Sequence, residues 1–94
     1  MTKKEQEVLE MHLDNAVAEY KKTCRAIEEM HTRYPELKEW LSDGDLYKDP
    51  IIIEFNDLDQ ERVAFHGRCL GILQELGIEF KNRAEFHEYL REWA

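Results

Sequence analysis

Apolar residues in the first third of the chain recur at the spacing of an α-helix. They step by three or four positions and comprise Leu9, Leu13, Ala16, Tyr20, Cys24, Ile27 and His31. No Gly or Pro interrupts the pattern before Pro35, and residues 2–5 have the Thr-x-x-Glu pattern of a capping box. The pattern predicts a helix over about 3–33, about 45 Å long at 1.5 Å per residue. A helix of this length needs a partner of similar length. His31, at the end of the apolar face, is expected to be a half-buried packing residue.

A second long amphipathic pattern occupies the other half of the chain. Asp49-Pro50 is typical of a helix start, and Gly77 followed by Ile78 is typical of a helix end. The apolar face between them comprises Ile51, Phe55, Leu58, Phe65, Cys69, Ile72 and Leu76. These features predict a helix over about 50–76. Residues 51–55 are also compatible with a strand because the run is β-branched, in which case 78–80 would form a second strand. We favour the continuous helix.

Two shorter helices complete the predicted fold. Pro35 can start a helix over about 35–41, which the Ser-Asp-Gly-Asp sequence at 42–45 then breaks. Asn82 and Glu85 form another capping-box pattern, which predicts a C-terminal helix over about 83–93. The sequence therefore predicts an all-α fold and a single helical domain over residues 1–94. In this fold two long antiparallel helices are joined by the short helix and accompanied by the C-terminal one.

The charge of the chain is concentrated in one segment. The 94 residues include 13 Lys and Arg against 21 Asp and Glu, a net charge of −8. Residues 36–61, called the acidic segment below, hold 2 basic and 9 acidic residues, a net charge of −7. Nucleic acid and anionic membranes both require clustered positive charge, so direct binding to either is not expected.

The acidic segment is the first candidate for function. Trp40 and Tyr47 are aromatic residues in short elements that a 94-residue chain cannot bury completely, and such residues favour binding sites. We therefore expect a basic, nucleic-acid-handling protein as the partner, with this chain as its regulator or inhibitor. The predicted partner-binding residues are Asp43, Asp45, Asp49, Asp57, Asp59, Trp40 and Tyr47. The alternative is that the acidic residues serve only solubility.

Small residues on the second long helix predict a further interface. Ala64, Gly67 and Gly71 lie nearly opposite its apolar face, and each mid-helix glycine costs about 1 kcal/mol relative to Ala. Small residues at this spacing allow another backbone to approach closely. Three neighbours are open at this point. They are a second copy of the chain, giving a homo-oligomer (most simply a dimer), a ligand, and the C-terminal helix of the same chain.

A cationic cluster supplies an alternative function. Lys21 and Arg25 lie beside Tyr20, and at an oligomer seam these three residues would suit a nucleotide-like ligand. The competing interpretation is pairing along an exposed helix face with Glu28 and Glu29.

The sequence gives little support for catalysis, metals or cofactors, and we expect none of the three. Asp43, Asp45, Asp49 and Glu54 fit a calcium-loop frame, but Lys48 occupies the position that requires glycine. Cys24 and Cys69 both fall on apolar faces and are not expected to form a disulfide. The longest apolar run, 69–73, is far too short to span a bilayer, and no export segment follows Lys3-Lys4. The cytoplasm is therefore the expected compartment.

Overall fold

A computed structural model of the chain describes residues 1–93. Most of these residues form helices. The α-helices are α1 (Lys3–Arg33), α2 (Leu37–Leu41), α3 (Pro50–Glu75) and α4 (Arg83–Glu92), with a 3₁₀-helix at Gly44–Leu46. The two long helices α1 and α3 pack against each other, and the molecule measures 52 × 24 × 21 Å. The predicted all-α hairpin is confirmed. Residues 51–55 are helical, so the strand alternative is wrong.

The ends of α3 follow from its local sequence. Asp49 Oδ1 accepts a hydrogen bond from the Ile51 backbone N–H at 2.9 Å, and Pro50 occupies the first turn, where no N–H is needed. At the other end Gly77 takes a left-handed φ of +81°, and the Ile78 N–H donates to the Leu73 carbonyl at 2.9 Å. This is a Schellman ending, in which glycine supplies the positive φ that turns the chain towards α4.

Two hydrophobic cores lie one after the other along the hairpin. The larger core joins α1, α3 and α4 through Leu13, Ala16, Val17, Cys69, Leu73, Phe86 and Leu90. The smaller core joins α1, α2 and α3 through Met30, Leu37 and Ile52. Each short helix thus completes a different core, and the acidic segment surrounds the smaller one.

Helix α2 also buries residues of the long helices that lie outside the predicted apolar faces. Met30 and Ile52 are buried although neither lies on those faces, because α2 covers that side of both long helices through Leu37. The expectation for His31 is wrong, since this residue is exposed. Its ring only meets the Phe55 ring edge-on, with 5.5 Å between centroids.

The C-terminal helix packs on a side of α3 away from the small residues. Phe86 is buried, and its ring contacts the His66 ring with 4.6 Å between centroids. Gly67 and Gly71 are exposed, and a Cβ added at either would meet no atom within 4 Å. The alternative in which α4 of the same chain covers these glycines is therefore wrong.

Candidate functional site

The acidic segment is held at one end of the hairpin by the smaller core. Leu37 is completely buried between the long helices and anchors α2. The chain then passes through the 3₁₀-helix at Gly44–Leu46 before α3 begins. Asp43, Asp45 and Asp57 are exposed there, while Asp49 and Asp59 are half-buried.

Three of the five aspartates have roles within the chain. The Asp43 carboxylate accepts a hydrogen bond from the Asp45 N–H at 3.0 Å, and Asp49 caps α3. Asp59 forms an ion pair with Arg62, with 2.9 Å between Oδ1 and Nη2. Asp45 and Asp57 are therefore the predicted binding carboxylates best placed to meet a partner.

The two aromatic residues of the segment differ in exposure. Tyr47 is 63% exposed, and Lys48 Nζ lies 5.4 Å from the centre of its ring. Trp40 is half-buried and packs against the smaller core beside Tyr34. Ile53, which the sequence reasoning did not assign, is 46% exposed and adds apolar surface. Helical periodicity could have found it, because Ile53 points away from the face that carries Ile51 and Phe55.

The predicted small-residue face lies open on α3. Ala64, Gly67 and Gly71 are all exposed, and Val63 beside them is 55% exposed. The helix backbone is therefore accessible at this face over two turns.

A groove between α1 and α4 brings together the residues of the predicted cationic cluster. Tyr20, Lys21 and Arg25 line it from α1, and His87 and Arg91 line it from α4. The groove lies within one chain rather than at an oligomer seam. Sequence reasoning missed the α4 residues, because the helical period of α4 does not reveal which side of the hairpin it covers.

An aromatic and histidine cluster borders this groove. The Tyr20 hydroxyl lies 3.5 Å from His87 Nδ1, and the His66 and His87 ring centroids are 5.3 Å apart. Burial, followed by the proximity of His87, lowers the pKa of His66. Burial, followed by the proximity of Cys24, raises the pKa of Tyr20. Both groups are thus held towards their neutral forms at neutral pH.

The two cysteines do not form a disulfide. Cys24 and Cys69 are both free, as the sequence predicts. Cys69 is completely buried in the larger core, where burial raises its pKa to about 11. It is therefore a packing residue rather than a nucleophile.

Comparisons with known proteins add no functional information. No family model, no curated protein and no solved structure matches the chain. Within residues 1–93, no group of three or more His, Cys, Asp or Glu side chains is placed to hold a metal ion. In the same part of the chain, no helix combines the length and the apolar character needed to cross a membrane.

Proposed function

We propose that the protein is a non-enzymatic interaction module, a regulator or inhibitor that binds a basic protein partner through the acidic segment. The observation that carries this proposal is the placement of the charge. Residues 36–61 hold a net charge of −7 out of the total of −8, and they surround one end of a molecule 52 Å long. The rest of the chain is close to neutral.

The charge distribution favours a partner with a complementary positive surface. A field of one sign at one end of a molecule accelerates and orients association with an oppositely charged protein. A nucleic-acid-handling protein has such a surface, and the acidic segment would compete there with the phosphate backbone. Binding of this kind weakens as salt increases.

Apolar side chains beside the charged residues can supply binding free energy that electrostatic attraction alone does not. Tyr47 and Ile53 are both substantially exposed within the acidic segment. Interfaces gain most of their free energy from a few such side chains, whereas rim charges mainly set the rate of association and the specificity. The candidate contact surface therefore consists of Asp45, Tyr47, Ile53 and Asp57.

The experiment is affinity capture with the charge reversed at two positions. Asp45→Lys/Asp57→Lys changes exposed carboxylates that cap no helix and form no ion pair within residues 1–93. The matched control is Glu7→Lys/Glu88→Lys, which makes the same charge change at exposed positions outside the acidic segment. Proteins captured by the parent chain are identified, purified and tested again by titration.

A basic partner should bind the parent and the control alike and should lose most of its affinity for the Asp45→Lys/Asp57→Lys variant. Equal binding to all three chains would show that the acidic segment serves only solubility. An equal loss in both variants would show that net charge, and not this surface, is recognised.

We propose a second copy of the chain as a further partner, through the face formed by Ala64, Gly67 and Gly71. The exposure of both glycines supports this, since α4 leaves them uncovered. Two helices that meet at small residues can approach closely enough for extensive backbone packing.

A further inference from the structure

The groove between α1 and α4 concentrates positive charge in an acidic protein. Lys21, Arg25 and Arg91 all line this groove of about 670 Å³, while the chain as a whole has a net charge of −8. Glu28 is the one carboxylate that residues 1–93 contribute to the lining. Two different helices therefore bring cationic side chains to one groove, although the chain as a whole is negatively charged.

These cations are available for a ligand. Arg25 and Arg91 are exposed, and the one ion pair formed within residues 1–93 is Arg62–Asp59, outside the groove. Lys21 Nζ donates one hydrogen bond to the Trp93 carbonyl at 2.7 Å, which leaves two further N–H donors. Mutual repulsion among three neighbouring cations is unfavourable, and a bound anion would relieve it.

The chemistry of the lining indicates the class of anion. Guanidinium groups present paired N–H donors that match the oxygen atoms of a phosphate, and Lys adds a compact charge. The Tyr20 hydroxyl and the His87 ring, which lie 3.5 Å apart, supply further polar groups. Leu90 and Cys24 add an apolar wall that suits the non-phosphate part of a small molecule. The volume lies within the range of small-molecule sites, which is roughly 300–1,000 Å³.

We propose that this groove binds a small phosphate-bearing molecule, with Arg25, Arg91 and Lys21 on the phosphate and Tyr20 and His87 beside it. The proposal is independent of the acidic segment, because the groove lies on the part of the hairpin covered by α4. A free polyphosphate and a nucleotide share the chemistry that these residues recognise.

Isothermal titration of the full chain at constant ionic strength tests the proposal with three probes: pyrophosphate, adenosine diphosphate and adenosine. The groove variant is Arg25→Gln/Arg91→Gln. The matched control is Lys4→Gln/Arg68→Gln, which removes the same charge at exposed positions outside the groove. Circular dichroism and thermal midpoints verify that both variants fold, as expected for substitutions at exposed residues.

We expect saturable binding of the phosphate-bearing probes but not of adenosine. Each guanidinium lost should weaken binding by about tenfold, as for other hydrogen bonds to charged groups. The control should bind like the parent. Tighter binding of adenosine diphosphate than of pyrophosphate identifies a nucleotide-like ligand, and the reverse identifies a polyphosphate.

Three titration results would overturn the proposal. They are the absence of saturable binding of either phosphate-bearing probe, equal weakening in the groove and control variants, and adenosine binding as tight as that of adenosine diphosphate. Nuclear magnetic resonance of the unmodified chain provides a measurement that needs no variant. The resonances of His87 and Tyr20 should shift on titration with the bound probe, and unchanged resonances would place the ligand elsewhere.

Discussion

His66 is the residue whose surroundings most clearly couple protonation to folding. It lies where α3 meets α4, with its ring against Phe86 and 5.3 Å from the ring of His87. Burial first, then the proximity of His87 and the positive charges of Arg83 and Arg62, lower its pKa. The folded chain therefore holds His66 neutral under conditions in which an unfolded chain would begin to protonate it.

This coupling predicts that the protein loses stability as the pH falls below about 6.5, the ordinary histidine pKa. In that range the unfolded chain binds more protons than the folded one, so the free energy of unfolding decreases with decreasing pH. Urea denaturation at pH 7.5 and at pH 5.5 measures the difference. His66→Gln should reduce it, whereas His12→Gln, at an exposed position on α1, should not. An identical pH dependence in the parent and in His66→Gln would contradict this prediction.

Helix α3 begins at a side-chain cap, as α1 and α4 also do. Asp49 accepts the Ile51 N–H at 2.9 Å and sits directly before Pro50. Asp49→Ala should lower the free energy of unfolding by about 1 kcal/mol, as for other N-cap losses. Urea denaturation measures the change, and Asp45→Ala is the control because that carboxylate caps no helix. Equal destabilisation by both substitutions would mean that the loss of acidic charge, rather than the cap, is responsible.

The helices could be predicted because residues close in sequence determine where each helix begins and ends. Asp49, Gly77 and Asn82 each act within a few residues of their own position, through a capping hydrogen bond or a positive φ. The docking side of α4 could not be predicted in this way. The helical period gives the direction of one apolar face, but His66 and Leu70 meet α4 from beside that face. The α4 half of the cationic groove was missed for the same reason.

At the scale of the whole molecule, the two cores divide the hairpin into parts with different surfaces. The smaller core carries the acidic segment, while the larger core carries α4 and the cationic groove. The two surfaces border each other at Arg62, which pairs with Asp59 of the acidic segment and whose charge also acts on Tyr20 of the groove lining.

The small-residue face contributes to neither core. Substitutions on this face therefore test whether the molecule associates with a second copy of itself. Glycine in mid-helix costs about 1 kcal/mol relative to Ala. A Cβ at Gly67 would meet nothing within 4 Å in the single chain. Gly67→Leu should therefore stabilise an isolated chain. If the glycine serves close helix packing between two copies, the same substitution should weaken the dimer.

Light scattering over a range of concentrations separates these effects. The parent should reach twice the chain mass of 11.3 kDa at high concentration, and Gly67→Leu should remain at the single mass. At concentrations low enough for both chains to be monomeric, Gly67→Leu should unfold at a higher urea concentration than the parent. Ala18→Leu adds the same side chain at an exposed position on α1 and should associate like the parent. A parent that stays monomeric, or a Gly67→Leu chain that still doubles its mass, would exclude this face as the interface. The informative result is a lower mass together with a greater stability against urea. A misfolded chain would instead aggregate to a higher mass and would be less stable.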